Sequence, residues 1–246
     1  MSDVNKAHVA GRVVDATYFA PDTGKMAFLR FALAYDSFTT ASGVRELQVK
    51  ARLYGELAET WQEAIVEGEW IGLNGHLAVS KDTHADNSVG YSLYVTTDSA
   101  DGVQQVDEGT FANEVDFTGS VLGDAYYFTK YRDDAGEVDA KHPTMKPLVR
   151  AEVGGHKVSV PVVLIDQTAT ENRDKLGAGA VLAVTGAQLV NRQVDDGVWE
   201  QQLVRAKSVK VVTAVARAKK EDTAAAKPAA GGKAKPTAKG KPAPRS

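Results

Sequence analysis

Between Leu47 and Tyr54 apolar and polar residues alternate: Leu47, Val49, Ala51 and Leu53 interleave with Gln48, Lys50, Arg52 and Tyr54. A period of two marks a strand with one buried face. An amide, an ammonium, a guanidinium and a phenol therefore stand in one row on the other face. Together they supply hydrogen bonds, attraction for phosphate and a ring on which a base can stack, which is the chemistry a sequence-tolerant binder of single strands needs. A second strand extends the face, with Leu29, Phe31 and Leu33 inward and Phe28 and Arg30 outward, and a first strand adds His8 and Arg12. Trp70 points away from the core residues Ile71 and Leu73, toward either a base or a second subunit. A solvated sheet face explains Lys50 and Arg52 equally well; Tyr54 and Phe28 favour a ligand.

Catalysis has no comparable constellation. His8, His76, His84, His142 and His156 lack metal-ligand spacing, and no His-x-Glu, phosphate loop or nucleophile elbow occurs. The pairs Asp133-Asp134 and Asp195-Asp196 lie in glycine-containing stretches and read as turns. No enzyme, cofactor or metal site is expected. The absence of Cys excludes disulfides, thiolate metal sites and thiol catalysis, and it suits a reducing compartment. The first residues lack an apolar signal region and no long apolar run follows, so the expectation is a soluble, cytoplasmic protein without a membrane partner.

The elements that must carry these residues come twice. Asn5-x-x-x-Val9-x-Gly11-x-Val13 recurs as Asn113-x-x-x-Phe117-x-Gly119-x-Val121, and Gly75 has a counterpart in Gly186, at offsets of 108 and 111 residues. In the first copy three strands precede a change of period: Leu57, Ala58, Trp61, Ala64 and Ile65 line one face of a three-turn helix that Gly68 ends. Strands at Trp70–Gly75 and Tyr91–Thr96 follow. Three strands, a helix and two strands form the order of a five-stranded oligonucleotide-binding (OB) barrel. The second copy predicts strands at 115–122, 147–153, 156–165, 180–186 and 199–212, with a helix opened by a capping box at Thr168-x-x-Glu171. The fold class is all-β, two tandem OB-fold barrels with one short helix each. The expected domains are residues 1–100, a linker over 101–111, a degenerate second barrel over 112–213 and a tail over 214–246.

From Arg217 onward nine Lys/Arg face only Glu221 and Asp222, a net of +7, which leaves the remaining body at −10. The tail's Ala, Lys, Pro and Gly cannot bury enough surface to offset ordering, so it is expected to be disordered, with a polyanion as its natural contact.

The first copy resembles the bacterial and phage single-stranded DNA-binding proteins. The resemblance runs through Asn5-Lys6, Val9-x-Gly11-Arg12-Val13, Phe31-Ala-Leu-Ala34, Leu53-Tyr-Gly-Glu-Leu-Ala-Glu59, Gly68 and Ile71-x-Leu73-x-Gly75-x-Leu77. It implies a strand of DNA wrapped on the barrel, stacking on Tyr54 and near Phe38. The family's other two tryptophan positions fall on Gln48 and Asp82, and a basic position falls on Glu56. It also implies a homodimer of four barrels, and participation in DNA replication, recombination or repair. The family's acidic tail tip, which recruits replication proteins, is replaced by Lys-Pro-Ala-Pro-Arg-Ser246, which puts that recruitment in doubt.

In the second copy the outward row of the third strand is Lys157, Ser159, Pro161, Val163 and Ile165. It has lost the aromatic residue and most of the charge, so that barrel is expected to serve assembly. Its one candidate contact for nucleic acid is the cluster Tyr126, Tyr127, Phe128, Lys130 and Tyr131, which could equally cap the barrel mouth. An RNA-binding or protein-interaction module remains the alternative reading.

Overall fold

The structure is a computed structural model, and it describes residues 2–40, 43–83, 89–133, 136–194, 199–217 and 225–226. The first copy contains β1 (Val4–Phe19), β2 (Phe28–Thr40), β3 (Gly43–Tyr54), α1 (Glu56–Trp61), β4 (Trp70–Thr83) and β5 (Val89–Thr96). Strand β1 pairs with both β2 and β4, β5 with β4, and β3 closes on β5 through Ala51 and Val95. This is the OB closure, and Val9, Leu29, Phe31, Val49, Leu53, Ile71 and Leu73 fill it, each almost wholly buried. In the stretch expected as a linker, β6 (Val103–Gln105) pairs back onto β4.

The second copy contains β7 (Ala112–Val121), β8 (Tyr126–Asp133), β9 (Gly136–Lys146), β10 (Leu148–Val153), β11 (His156–Ile165), α2 (Asp166–Asn172), β12 (Val181–Val194), β13 (Trp199–Arg205) and β14 (Val209–Thr213). Its first connection is a β8–β9 hairpin where a loop was expected, β12 runs beyond the expected end, and the expected last strand is two strands. Strand β13 closes the barrel on β11 in parallel, as β5 does on β3. A two-residue strand, Ala225–Ala226, pairs with β8; the remaining tail from residue 218 onward lies outside the described residues.

The repeat is legible in backbone contacts. A Cβ on Gly11 would lie 2.1 Å from Ala34 O, and one on Gly119 would lie 2.1 Å from Arg150 O, so each copy needs glycine where its first two strands press together. Asn5 donates to Leu77 O and accepts from Leu77 N, each at 2.9 Å. Asn113 does the same with Leu189, at 2.8 and 2.9 Å. The turn from third strand to helix takes a left-handed residue in both copies, Gly55 at φ 56° and Asp166 at φ 54°.

The register corrects one correspondence. Ala7 pairs with Gly75 and Val115 with Ala187, so Ala187 matches Gly75, while Gly186 (φ 60°) is the extra residue of a bulge. Both helices are shorter than the periodicity implies. Helix α1 ends at Trp61 and turns bring Ile65 into the core, with Trp61 only half-buried. Helix α2 begins two residues before the expected capping box, and Thr168 instead donates to Lys207 O at 3.0 Å.

The two barrels share one sheet. Strands β1 and β7 pair antiparallel from Val4↔Thr118 to Ala10↔Ala112, with Ala7 opposite Val115, its own counterpart in the repeat. Asn5 faces Phe117 and Val9 faces Asn113, so the pairing is symmetric about that central pair. It is the isologous contact of a two-fold dimer, made within one chain.

Candidate nucleic-acid interface

The register of β1, β2 and β3 sets the outward residues of barrel one in rows. Arg12, Ala34 and Gln48 form one row, then Asp15, Ala32 and Lys50, then Thr17, Arg30 and Arg52, and finally Phe19, Phe28 and Tyr54. Two irregularities create this grid. A bulge in β1 between Val13 and Asp15 reverses its alternation, turning Phe19 outward, and a bulge in β2 between Ala34 and Asp36 leaves Tyr35 unpaired in the β2–β3 ladder. Leu47, expected in the core, is half-buried next to that second bulge.

The aromatic row is continuous. Phe19 and Phe28 stack with ring centroids 4.2 Å apart at an interplanar angle of 10°. Phe28 lies 6.3 Å from Tyr54, and Tyr54 lies 6.5 Å from Tyr94 of β5, with Tyr54 Oη donating to Tyr94 Oη at 3.0 Å. The Arg52 guanidinium sits 4.6 Å from the centre of the Tyr94 ring and Arg30 lies 5.9 Å from that of Phe19, both within cation–π range. Phe19 is 39 % exposed whereas Tyr94 is only 7 % exposed, so Tyr94 supports the row and Phe19 presents it. Ala32 and Ala34 leave the middle of β2 almost without side chain. They are flanked by Arg12 and Asp15 on β1 and by Gln48 and Lys50 on β3. From Phe28 to Ala34 the strand spans about 20 Å at the usual rise.

The residues expected to bind are thus gathered in part. Phe28, Arg30, Gln48, Lys50, Arg52 and Tyr54 share the face. Arg12 lies at its far end and bridges to Glu46. Trp70 is opposite Arg12 on β4, half-buried, in a T-shaped contact with the ring of Phe111 at 5.1 Å, so a residue of the inter-barrel connection is its aromatic neighbour. His8 lies beyond this face, with Asn74 Oδ1 2.6 Å from its Nδ1. Phe38 pairs with Arg45, but its side chain, like that of Asp82, lies outside the described residues. Phe19 and Tyr94 belong to the row and were not among the expected residues.

Barrel two offers a different surface at the matching positions. Pro161, Val163 and Ile165 replace Lys50, Arg52 and Tyr54. Lys157 is bound to Glu152 at 3.3 Å, and Arg150 donates to Ser159 Oγ at 3.2 Å. In the β8–β9 hairpin, Tyr127 is 6 % exposed, with the guanidinium groups of Arg173 and Arg217 5.1 and 5.6 Å from the centre of its ring. It is a core residue and cannot meet a base. Tyr126 and Phe128 contact each other at 5.5 Å, Lys130 is exposed, and the Tyr131 side chain lies outside the described residues.

One titrating group responds to the join between the barrels. Burial pushes the Tyr35 phenol above its ordinary value; a hydrogen bond with Asn113 opposes the shift and the Asp36 carboxylate adds to it. Tyr35 Oη donates to Leu189 O of barrel two at 2.9 Å. No helix among the described residues is long and apolar enough to cross a membrane.

No family model matches the sequence, and no curated protein matches it. Solved structures do match in fold. The wild-type single-stranded DNA-binding protein of Thermus aquaticus is similar with a TM-score of 0.62 at 20 % identity, over 87 % of this chain and 96 % of that one. A deletion mutant of the Thermus protein is similar with a TM-score of 0.61 at 21 % identity, over 85 % of this chain and 95 % of that one. The likeness spans both barrels and establishes the shared architecture.

Proposed function

We propose that this chain binds single-stranded DNA with little regard to sequence, coating and protecting it during replication, recombination or repair. The observation that carries the reading is the ring row Phe19–Phe28–Tyr54 backed by Tyr94, with Arg30 and Arg52 set against its rings. Every base has a face that can stack, and guanidinium groups beside the rings meet the backbone phosphates, so such a row selects single strands without reading sequence. A duplex hides its base faces and gains only the charge. The names of the Thermus proteins that share the fold point the same way. The protein acts as a binder and not an enzyme, in the cytoplasm, and as a homodimer that brings four barrels together.

The test is fluorescence anisotropy of a labelled oligo-dT of about 30–40 nucleotides, a few site sizes for such barrels, beside a duplex of equal length at low and moderate salt. Tight binding of the single strand that largely survives salt, with weak duplex binding, supports the reading. Equal and salt-labile binding of both would leave only the basic tail in contact with DNA and refute the barrel site. Competition by oligo-U separates DNA from RNA.

A further inference from the structure

The symmetry across the β1–β7 seam fails at one of its two junctions. On one side of the β1–β7 seam β12 approaches β3, and on the other side their repeat counterparts β4 and β11 approach each other. At the first junction Leu189 O accepts from two donors, Asn113 Nδ2 at 2.8 Å and Tyr35 Oη at 2.9 Å. The phenol covers the amide, and Asn113 is 7 % exposed. Tyr35 reaches this place because it is the bulged residue of β2. The β10–β11 ladder runs without a bulge from Leu148↔Pro161 to Val153↔His156, so among the described residues barrel two has none that returns the contact.

What stands at the second junction is a cleft of about 940 Å³. Asn5 and Leu77, the counterparts of Asn113 and Leu189, form part of its lining, and Asn5 is half-buried. The walls are Val79, Leu93, Leu148, Val158 and Pro161, and Tyr91 stands beside them 68 % exposed. Gln202, only 3 % exposed, is also part of the lining, but its amide turns to the first junction, where Nε2 donates to Gln48 O at 3.2 Å.

We infer that the cleft is a docking site for a tyrosine side chain presented by a partner polypeptide, which would complete at Leu77 the contact that Tyr35 makes at Leu189. A largely apolar cleft of this size has room for a ring that bears a single donor together with the flanking peptide that presents it. Tyr35 in the matching junction is the evidence for which ring. The inference is independent of whether barrel one binds DNA.

The test titrates N-acetyl-tyrosinamide into the full chain and follows the Asn5 side-chain amide by NMR, with N-acetyl-phenylalaninamide as the probe lacking the donor. A saturable shift is expected, about three- to tenfold tighter for the tyrosine probe, as one neutral hydrogen bond provides. Ala78→Trp, which sets a bulky ring into the lining next to Leu77, should abolish it. Tyr35→Ala should open the matching junction and admit a second equivalent, reported by the Asn113 amide. No saturable shift in the wild-type chain, or equal affinity for the two probes, would overturn the inference even if Tyr35→Ala failed to fold. Displacement of the probe by oligo-dT would make a nucleobase the occupant and overturn it as well.

Discussion

Phe28 is the hinge of the proposed contact, stacked on Phe19 on one side and set against Tyr54 on the other. Removing either neighbour leaves a base with one ring fewer. Tyr54→Ala and Phe28→Ala are each expected to weaken single-strand binding by about 1–3 kcal/mol, measured by anisotropy, with thermal stability followed alongside to separate unfolding from lost stacking. Simple alternation made Phe28, Arg30 and the β3 row legible. It failed for Phe19: counting by twos from Val9, Gly11 and Val13 turns Phe19 inward, and only the bulge after Val13 reverses it. Tyr94 has outward parity, but its place beside Tyr54 depends on the parallel β3–β5 closure, which no local pattern encodes. Tyr35 was likewise hidden by a bulge. Because burial raises its pKa, Tyr35 keeps its proton in the folded chain after the unfolded chain has begun to lose it. Its contribution is therefore full below pH 10, the ordinary phenol value, and is lost as pH rises through the higher folded value. Tyr35→Phe should flatten the alkaline arm of stability against pH; an unchanged arm would remove Tyr35 from the account.

At the scale of elements, the seam between β1 and β7 carries opposite charges at matching places. Lys6 and His8 lie on β1, and their repeat counterparts on β7 are Glu114 and Asp116, so that Lys6 faces Asp116 and His8 faces Glu114. Two β7 strands paired in the same register would set Glu114 against Asp116, two carboxylates, where the pairing within the chain sets the Lys6 ammonium against Asp116. Opposite charges directly across strands stabilise and like charges destabilise, so the divergence of the copies favours the pairing within the chain. Lys6→Glu should cost about 0.2–1 kcal/mol in denaturant unfolding while Lys6→Arg costs little, and the gap should narrow in high salt. The sequence repeat announced two barrels but not this seam, because register between distant strands is decided by packing of the whole sheet. The helices were overread for a related reason: the apolar stripe through Ile65 is satisfied by turns after Trp61 as well as by a longer helix.

Over the whole molecule one fold carries two surfaces. Barrel one keeps cations and rings on its open face, whereas the same positions of barrel two hold Pro161, Val163 and Ile165. With the body at −10 and the segment from Arg217 at +7, the proposed function assigns long-range attraction for DNA to the tail and short-range stacking to the barrel. Truncation after Arg217 should make the salt dependence of binding shallower by about 0.7 for each phosphate the tail neutralises, while selectivity for single strands over duplex persists. A slope and affinity indifferent to the tail would remove its electrostatic role. The most direct test of the central claim is ultraviolet crosslinking of oligo-dT to the full chain, with the joined residues identified by mass spectrometry. Crosslinks at Phe19, Phe28 or Tyr54 are the predicted result; crosslinks confined to barrel two or to the tail would contradict it.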